Sequence, residues 1–246
     1  MDKRPWGFWT TSGFGIAIIV VFLLTMLLVS VVVIVINIFP QSNLNPSQIL
    51  DIVSESIGLL VSLGTITTAI VGVGLIIAVI SIRREISIIE YLALKPVSTK
   101  AILVSLAIVV VLIIAYEAAS MFLDIPINPQ VMVDIYNTSV WPALFWIAVV
   151  IFAPIFEETF FRGFLFKGFI YSKLGISGTI ILTAFAWTLL HLQYGIFGVL
   201  YIFIAGIFLG VMRYKTGSLW VPLIMHSFIN MIAVFEIALN VNSWFS

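Results

Sequence analysis

Seven stretches of this chain are long and apolar enough to cross a bilayer, approximately residues 14–38, 56–82, 101–122, 141–166, 176–192, 195–212 and 219–242. A spanning helix needs about 20 mostly apolar residues, so the membrane is the only solvent in which these runs make sense together. The expected fold is all-α: a polytopic membrane helix bundle of about seven transmembrane helices, or eight with a re-entrant or short segment, enclosing a polar cavity between the later helices. Of the 246 residues, 62% are apolar and only 9% charged, against roughly 25% charged in a soluble domain. No room is left for a separate soluble unit, and residues 1–246 read as a single integral membrane domain.

Eleven basic and eleven acidic residues cancel, so no basic face points to nucleic acid. Cysteine is absent, which excludes disulfides, a thiolate nucleophile and Cys-ligated metal sites. The first apolar run, behind Lys3 and Arg4, is too long for the core of a cleaved signal and reads as a retained span. The basic residues Lys3, Arg4, Arg83, Arg84, Lys95, Lys100, Arg162, Lys167, Lys173, Arg213 and Lys215 all fall on one side of a seven-span topology. By the positive-inside rule the N-terminus is then cytoplasmic and the C-terminus outside. The segment Arg83–Lys100 mixes isoleucines with charges and reads as a loop lying along the headgroups, stopped by Pro96. Gly206 and Gly210 form a GxxxG match that reads as an internal packing face. Trp6, Trp9, Trp141, Trp220 and Trp244 near span ends fit an interfacial aromatic belt.

Ionisable residues at membrane depth are costly and mark pathways or reaction centres. In the fourth run, Glu158 and Arg162 are spaced i, i+4 and share a helical stripe, whereas Glu157 is rotated by about 100°. That spacing divides the labour: Arg162 neutralises one carboxylate and leaves the other free. The two histidines of the chain, His191 and His226, lie in later runs, and Asn230 follows His226 at i+4. Taken singly, each group also reads structurally, as a charge-paired helix end or as helix–helix hydrogen bonds. Together they are the parts needed to deprotonate water and to stabilise a developing oxyanion. No His-Glu-x-x-His helix and no Gly-x-Ser-x-Gly elbow is present, and Ser177 and Ser227 are isolated. Glu117 and Glu236 lie near outer span ends and are left out of the site.

The succession Glu-Glu-x-x-x-Arg, aromatic-x-x-x-His and His-x-x-x-Asn on successive membrane helices resembles the CAAX protease and bacteriocin-processing (CPBP, or Abi) family of intramembrane endopeptidases. The resemblance covers residues 141–240 as a catalytic core, and Tyr91–Pro96 looks like a cytoplasmic segment of bacterial members. It implies that Glu157, with His191, positions and deprotonates the attacking water, that His226 and Asn230 bind the carbonyl oxygen, and that Glu158 and Arg162 support them. Trp187 stands where phenylalanine is common, which implies an altered pocket shape more than lost activity. The implied substrate is a small peptide or a lipid-anchored protein, cleaved in a bacterial plasma membrane beside membrane lipids. No cofactor is expected, because a His/Asn pair suits an oxyanion site, although Glu157, His191 and His226 are also the Glu-plus-two-His set of a catalytic zinc. A non-catalytic immunity or scaffold protein and a proton-coupled transporter are the alternatives. Straight helices place His191 near the far end of its span, so closing the site requires tilted or broken helices around an inward-open cavity. Nothing in the sequence fixes the oligomeric state or the scissile bond.

Overall fold

The computed structural model describes residues 5–40 and 44–239, leaving Lys3, Arg4, Trp244 and the ends of two expected segments outside the described residues. Every regular element in it is helical. The helices are α1 (Phe8–Ile38), α2 (Pro46–Glu55), α3 (Ile57–Ile82), α4 (Ile88–Leu92), α5 (Thr99–Phe122) and α6 (Gln130–Asn137). They are followed by α7 (Pro142–Phe169), α8 (Gly175–Thr188), α9 (Gly195–Thr216) and α10 (Trp220–Ala238). Asn45 and Gln48 form a reciprocal capping box on α2, with Pro46 at its first turn, as capping chemistry favours.

Six helical stretches among the described residues have the length and hydropathy to cross a membrane, one of them the 42-residue stretch Gly175–Thr216. That stretch is not one rod. A Cβ on Gly206 would meet Ala184 and Trp187, and one on Gly210 would meet Ile180. Advancing four residues along α9 thus retreats four along α8, the register of an antiparallel hairpin. The reversal is made by a 3₁₀ segment, Leu189–Tyr194, in which His191 leaves helical geometry at φ −123°, and by Gly195 at φ +68°, a conformation open to glycine without steric cost. Counting both legs gives seven apolar helices. The same contacts make the GxxxG face internal to the hairpin.

Because lipid is as apolar as leucine, packing here depends on close approach more than on water exclusion. α1 carries its apolar side chains outward, with Leu23, Leu27, Leu28 and Ile36 all exposed. The core gathers around α7, which contacts α1, α3, α4, α8, α9 and α10. Gly72 of α3 lets that helix lie directly on Phe156 of α7, since a Cβ there would come within 2.4 Å of the ring.

The Arg83–Lys100 segment departs from the expected surface-hugging loop. Tyr91 and Leu92 are buried, and Ala93 ends α4 at φ 54°, ahead of Pro96. The Ala93 carbonyl accepts from the Leu219 N–H at 3.0 Å, and the Lys95 carbonyl accepts from Ser218 Oγ at 2.6 Å. These bonds plug the segment into the bundle beneath the start of α10. Hydropathy could not show this, since the bonds are made to backbone carbonyls more than 120 residues away.

Candidate active site

α7 carries Glu157, Glu158 and Arg162, and it is not a regular α-helix. It widens to π geometry over Ala148–Phe152 and again over Thr159–Leu165, a rare conformation frequent at functional sites. In the first π stretch the Ala153 N–H bonds the Ala148 carbonyl. The donor next in line for the Val149 carbonyl is residue 154, a proline with no N–H. Asn230 of α10 fills that place, donating from Nδ2 to Val149 O at 2.9 Å. In the second stretch the Phe166 N–H turns to the Phe161 and Gly163 carbonyls, and the Arg162 carbonyl accepts from Arg213 Nε of α9 at 2.9 Å. Side chains of α10 and α9 thereby stitch the two widened turns in place.

Glu158 and Arg162 are wholly buried. Arg162 Nη1 donates to Glu158 Oε1 at 2.9 Å, and Nη2 donates to the Gly206 carbonyl at 3.1 Å. His226 Nδ1 donates to the same Glu158 oxygen, also at 2.9 Å. The guanidinium lies over the Trp187 ring, 4.7 Å from its centroid, in cation–π range. A buried charge is tolerable only when paired and hydrogen-bonded; this network pairs the two charges through Glu158 Oε1 and the two Nη atoms, while Glu158 Oε2 and Arg162 Nε are buried without a hydrogen-bond partner.

Glu157 is rotated away from the pair and stays partly open, with 17% of its side chain exposed, as for His191. Its Oε2 accepts from the indole Nε1 of Trp187. His191 Nε2 lies 4.0 Å from that oxygen and His226 Nε2 lies 3.9 Å from it. His191 Nδ1 donates to the Trp187 carbonyl at 3.0 Å. Each imidazole thus commits Nδ1 to an acceptor and presents Nε2 to Glu157, which fixes the tautomer of the neutral ring.

The sequence-predicted residues therefore meet as follows. Glu157, His191 and His226 converge on one point, and Glu158 and Arg162 stand behind them. Asn230 lies alongside, its hydrogen bond going to Val149 and not to a histidine or a glutamate. The depth mismatch of straight helices disappears. Glu157 is twelve residues from Phe169 (169 − 157), Trp187 is twelve from Gly175 (187 − 175), and only Ile170–Leu174 separates those helix ends. The two residues stand at one height, and the 3₁₀ turn then swings His191 back over Glu157.

The cavity that reaches Glu157 differs in place from the expected one. About 80 Å³ in volume, it is walled by Phe22 of α1, Thr65 and Thr68 of α3, Phe156 of α7, and Leu190. It thus opens toward the first helices as well as the later ones, because the close approach at Gly72 brings α3 against the Glu157 side of α7. Sequence reasoning passed over Trp187 as a donor and Pro154 as a helix breaker. Both carried a signal, since a proline inside a span always frees a carbonyl and an indole N–H in a dry site seeks an acceptor.

The Glu-plus-two-His donor types of a zinc site are present, but their arrangement does not fit one. Among the described residues no three His, Asp or Glu side chains are spaced to hold a metal ion. The oxygen both imidazoles face is already bonded to the indole N–H. Glu236, outside this site, accepts instead from Asn128 Nδ2 at 3.3 Å.

Residues 139–232 match the Rce1-like family, described as type II CAAX prenyl endopeptidase Rce1-like. Over that segment the chain is similar to that family. The match takes in every residue of the cluster, from Glu157 to Asn230, and with the apolar helices it marks an integral membrane protein. No curated protein and no solved structure matches the chain.

Proposed function

We propose that this protein is an intramembrane endopeptidase that hydrolyses a peptide bond in a small or membrane-anchored peptide. One observation carries the reading: two imidazoles, each anchored through Nδ1, direct Nε2 at the same carboxylate oxygen of Glu157 from 3.9 and 4.0 Å. Those separations are too long for direct hydrogen bonds and suit a bridging water. In this reading Glu157 takes a proton from that water as its oxygen attacks the peptide carbonyl, and His191 Nε2 orients the water from the other side. The carbonyl oxygen gains negative charge as the tetrahedral intermediate forms. His226 gives Nδ1–H to Glu158, which holds its ring with Nε2 toward the place where the oxyanion forms. The second amide hydrogen of Asn230 would complete the oxyanion site. Glu157 then returns its proton to the leaving amine, and the carbon–nitrogen bond breaks. No step in this scheme calls for a metal. The basic residues gathered at one side support a cytoplasmic N-terminus and a cut made near the cytoplasmic face.

The test compares peptide ends in membranes and medium of cells making the wild-type protein and Glu157→Gln at equal abundance. Ends that vanish in the variant establish proteolysis and locate the cut. Matching profiles, with a phenotype that the variant also confers, would sink the protease reading in favour of a binding or immunity protein.

A further inference from the structure

Trp187 touches Glu157, His191, His226 and Arg162. Its indole Nε1 donates to Glu157 Oε2, and its carbonyl accepts from His191 Nδ1 at 3.0 Å. Its ring packs edge-on against both imidazoles, with centroids 5.0 Å from His191 and 5.0 Å from His226. It also supports the Arg162 guanidinium. The side chain is nearly fully buried, at 3% exposure, between Gly206 of α9 and the carboxylate, with a Gly206 Cβ position only 3.0 Å from the ring. There is little room for the indole to turn.

We propose that Trp187 is a positioning residue for Glu157, its indole N–H holding the carboxylate toward both histidines. The inference rests on the protease reading for its kinetic consequence, though not for the hydrogen bond itself. Arg162 directs Nη1 to Glu158 and Nη2 to Gly206, and Trp187 donates to Glu157. A glutamate side chain has several rotamers of similar energy. Without a donor its carboxylate can swing into the adjoining cavity, away from the point both Nε2 atoms face. A neutral donor restrains the group without cancelling its charge. The base stays anionic yet fixed, as an attacking water held in register requires. The Trp187 carbonyl fixes His191 through the backbone, so one residue sets both members of the water-activating pair.

Two measurements on the full-length protein in detergent micelles test this. The first uses indole-¹⁵N tryptophan labelling, with the Trp187 signal assigned by its absence in Trp187→Phe. That N–H resonance is expected to lie downfield and to move upfield in Glu157→Leu. An unmoved resonance overturns the proposal whether or not the protein is a protease. The second replaces Trp187 with β-(3-benzothienyl)alanine, which keeps the bicyclic shape and lacks the N–H. Its probe is a synthetic peptide spanning the cut site found by the comparison of peptide ends. A lost hydrogen bond to a charged group predicts a fall in kcat of about ten-fold or more, with KM within about two-fold of wild type. Unchanged kcat, or a raised KM with kcat retained, overturns the positioning role. Should Glu157→Gln leave all peptide ends unchanged, the protease reading fails by itself, and the resonance measurement still decides whether the indole holds the carboxylate.

Discussion

Asn230 Nδ2 donates to the Val149 carbonyl at 2.9 Å, supplying the hydrogen bond that the imide nitrogen of Pro154 cannot. The bond joins α10 to α7 eight residues before Glu157, and so ties the helix bearing His226 to the helix bearing the carboxylate. A residue that the family resemblance assigns to the oxyanion thus also has a structural task.

The two tasks separate in a double-mutant cycle. Asn230→Ala strands a half-buried carbonyl and is expected to cost about 1 kcal/mol of stability. Pro154→Ala restores an N–H in the helix, so the same Asn230→Ala change in that background should cost less, with a coupling of about 1 kcal/mol. Unfolding in detergent of the four proteins measures it. If activity is lost equally in both backgrounds while stability differs, Asn230 also acts at the carbonyl oxygen.

Arg162→Met should be far more damaging than a surface change of the same kind. It leaves Glu158 charged and wholly buried with only His226 as a partner, and breaking a buried pair from one side costs about 3–5 kcal/mol. Thermal unfolding would detect that loss; a cost below about 1 kcal/mol would mean that the pair is screened by water.

Gly72→Ala places a methyl group 2.4 Å from the Phe156 ring. Overpacking of this kind costs about 1–3 kcal/mol, and here the displaced ring is a wall of the cavity beside Glu157. Reduced stability and reduced cleavage are expected together, with partial recovery of both in Gly72→Ala/Phe156→Leu. Recovery of stability alone would show that the cavity wall has no part in cleavage.

Removal of divalent metal is expected to leave cleavage intact, because the spacing of Glu157, His191 and His226 does not suit a shared ion. Activity that disappears on chelation and returns with zinc would require those side chains to rearrange around the metal.

Burial pushes the Tyr91 phenol up from its ordinary value of 10.0, and this residue lies outside the spanning segments. A raised folded-state value means stability is fully present below pH about 10 and declines as the unfolded phenol ionises above it. Alkaline unfolding should therefore steepen above that point, and Tyr91→Phe should flatten it. Indistinguishable profiles for the two proteins would show that another group controls alkaline unfolding.

How much was legible beforehand differs residue by residue. The i, i+4 spacing of Glu158 and Arg162 foretold their pairing, because both lie on one helix and helical periodicity alone sets that distance. The GxxxG match foretold a close face at Gly206 for the same local reason. The place of His191 was not legible, since it depends on a 3₁₀ turn and a hairpin whose tip packs beside the middle of α7. Nor was the burial of Tyr91 and Leu92, whose charged neighbours imitate a surface helix.

The sequence by itself determined that the chain is a membrane helix bundle, which ionisable residues lie within its spans, and which carboxylate the arginine takes, because hydropathy and helical spacing are local properties. Only the tertiary structure decided that both Nε2 atoms face one oxygen, that Trp187 rather than Arg162 donates to Glu157, and that Asn230 closes the gap left by Pro154. Those outcomes depend on the heights and rotations of helices distant in sequence, fixed by close contacts at small residues and by carbonyls that π turns and a proline expose. No periodicity within a single helix encodes them.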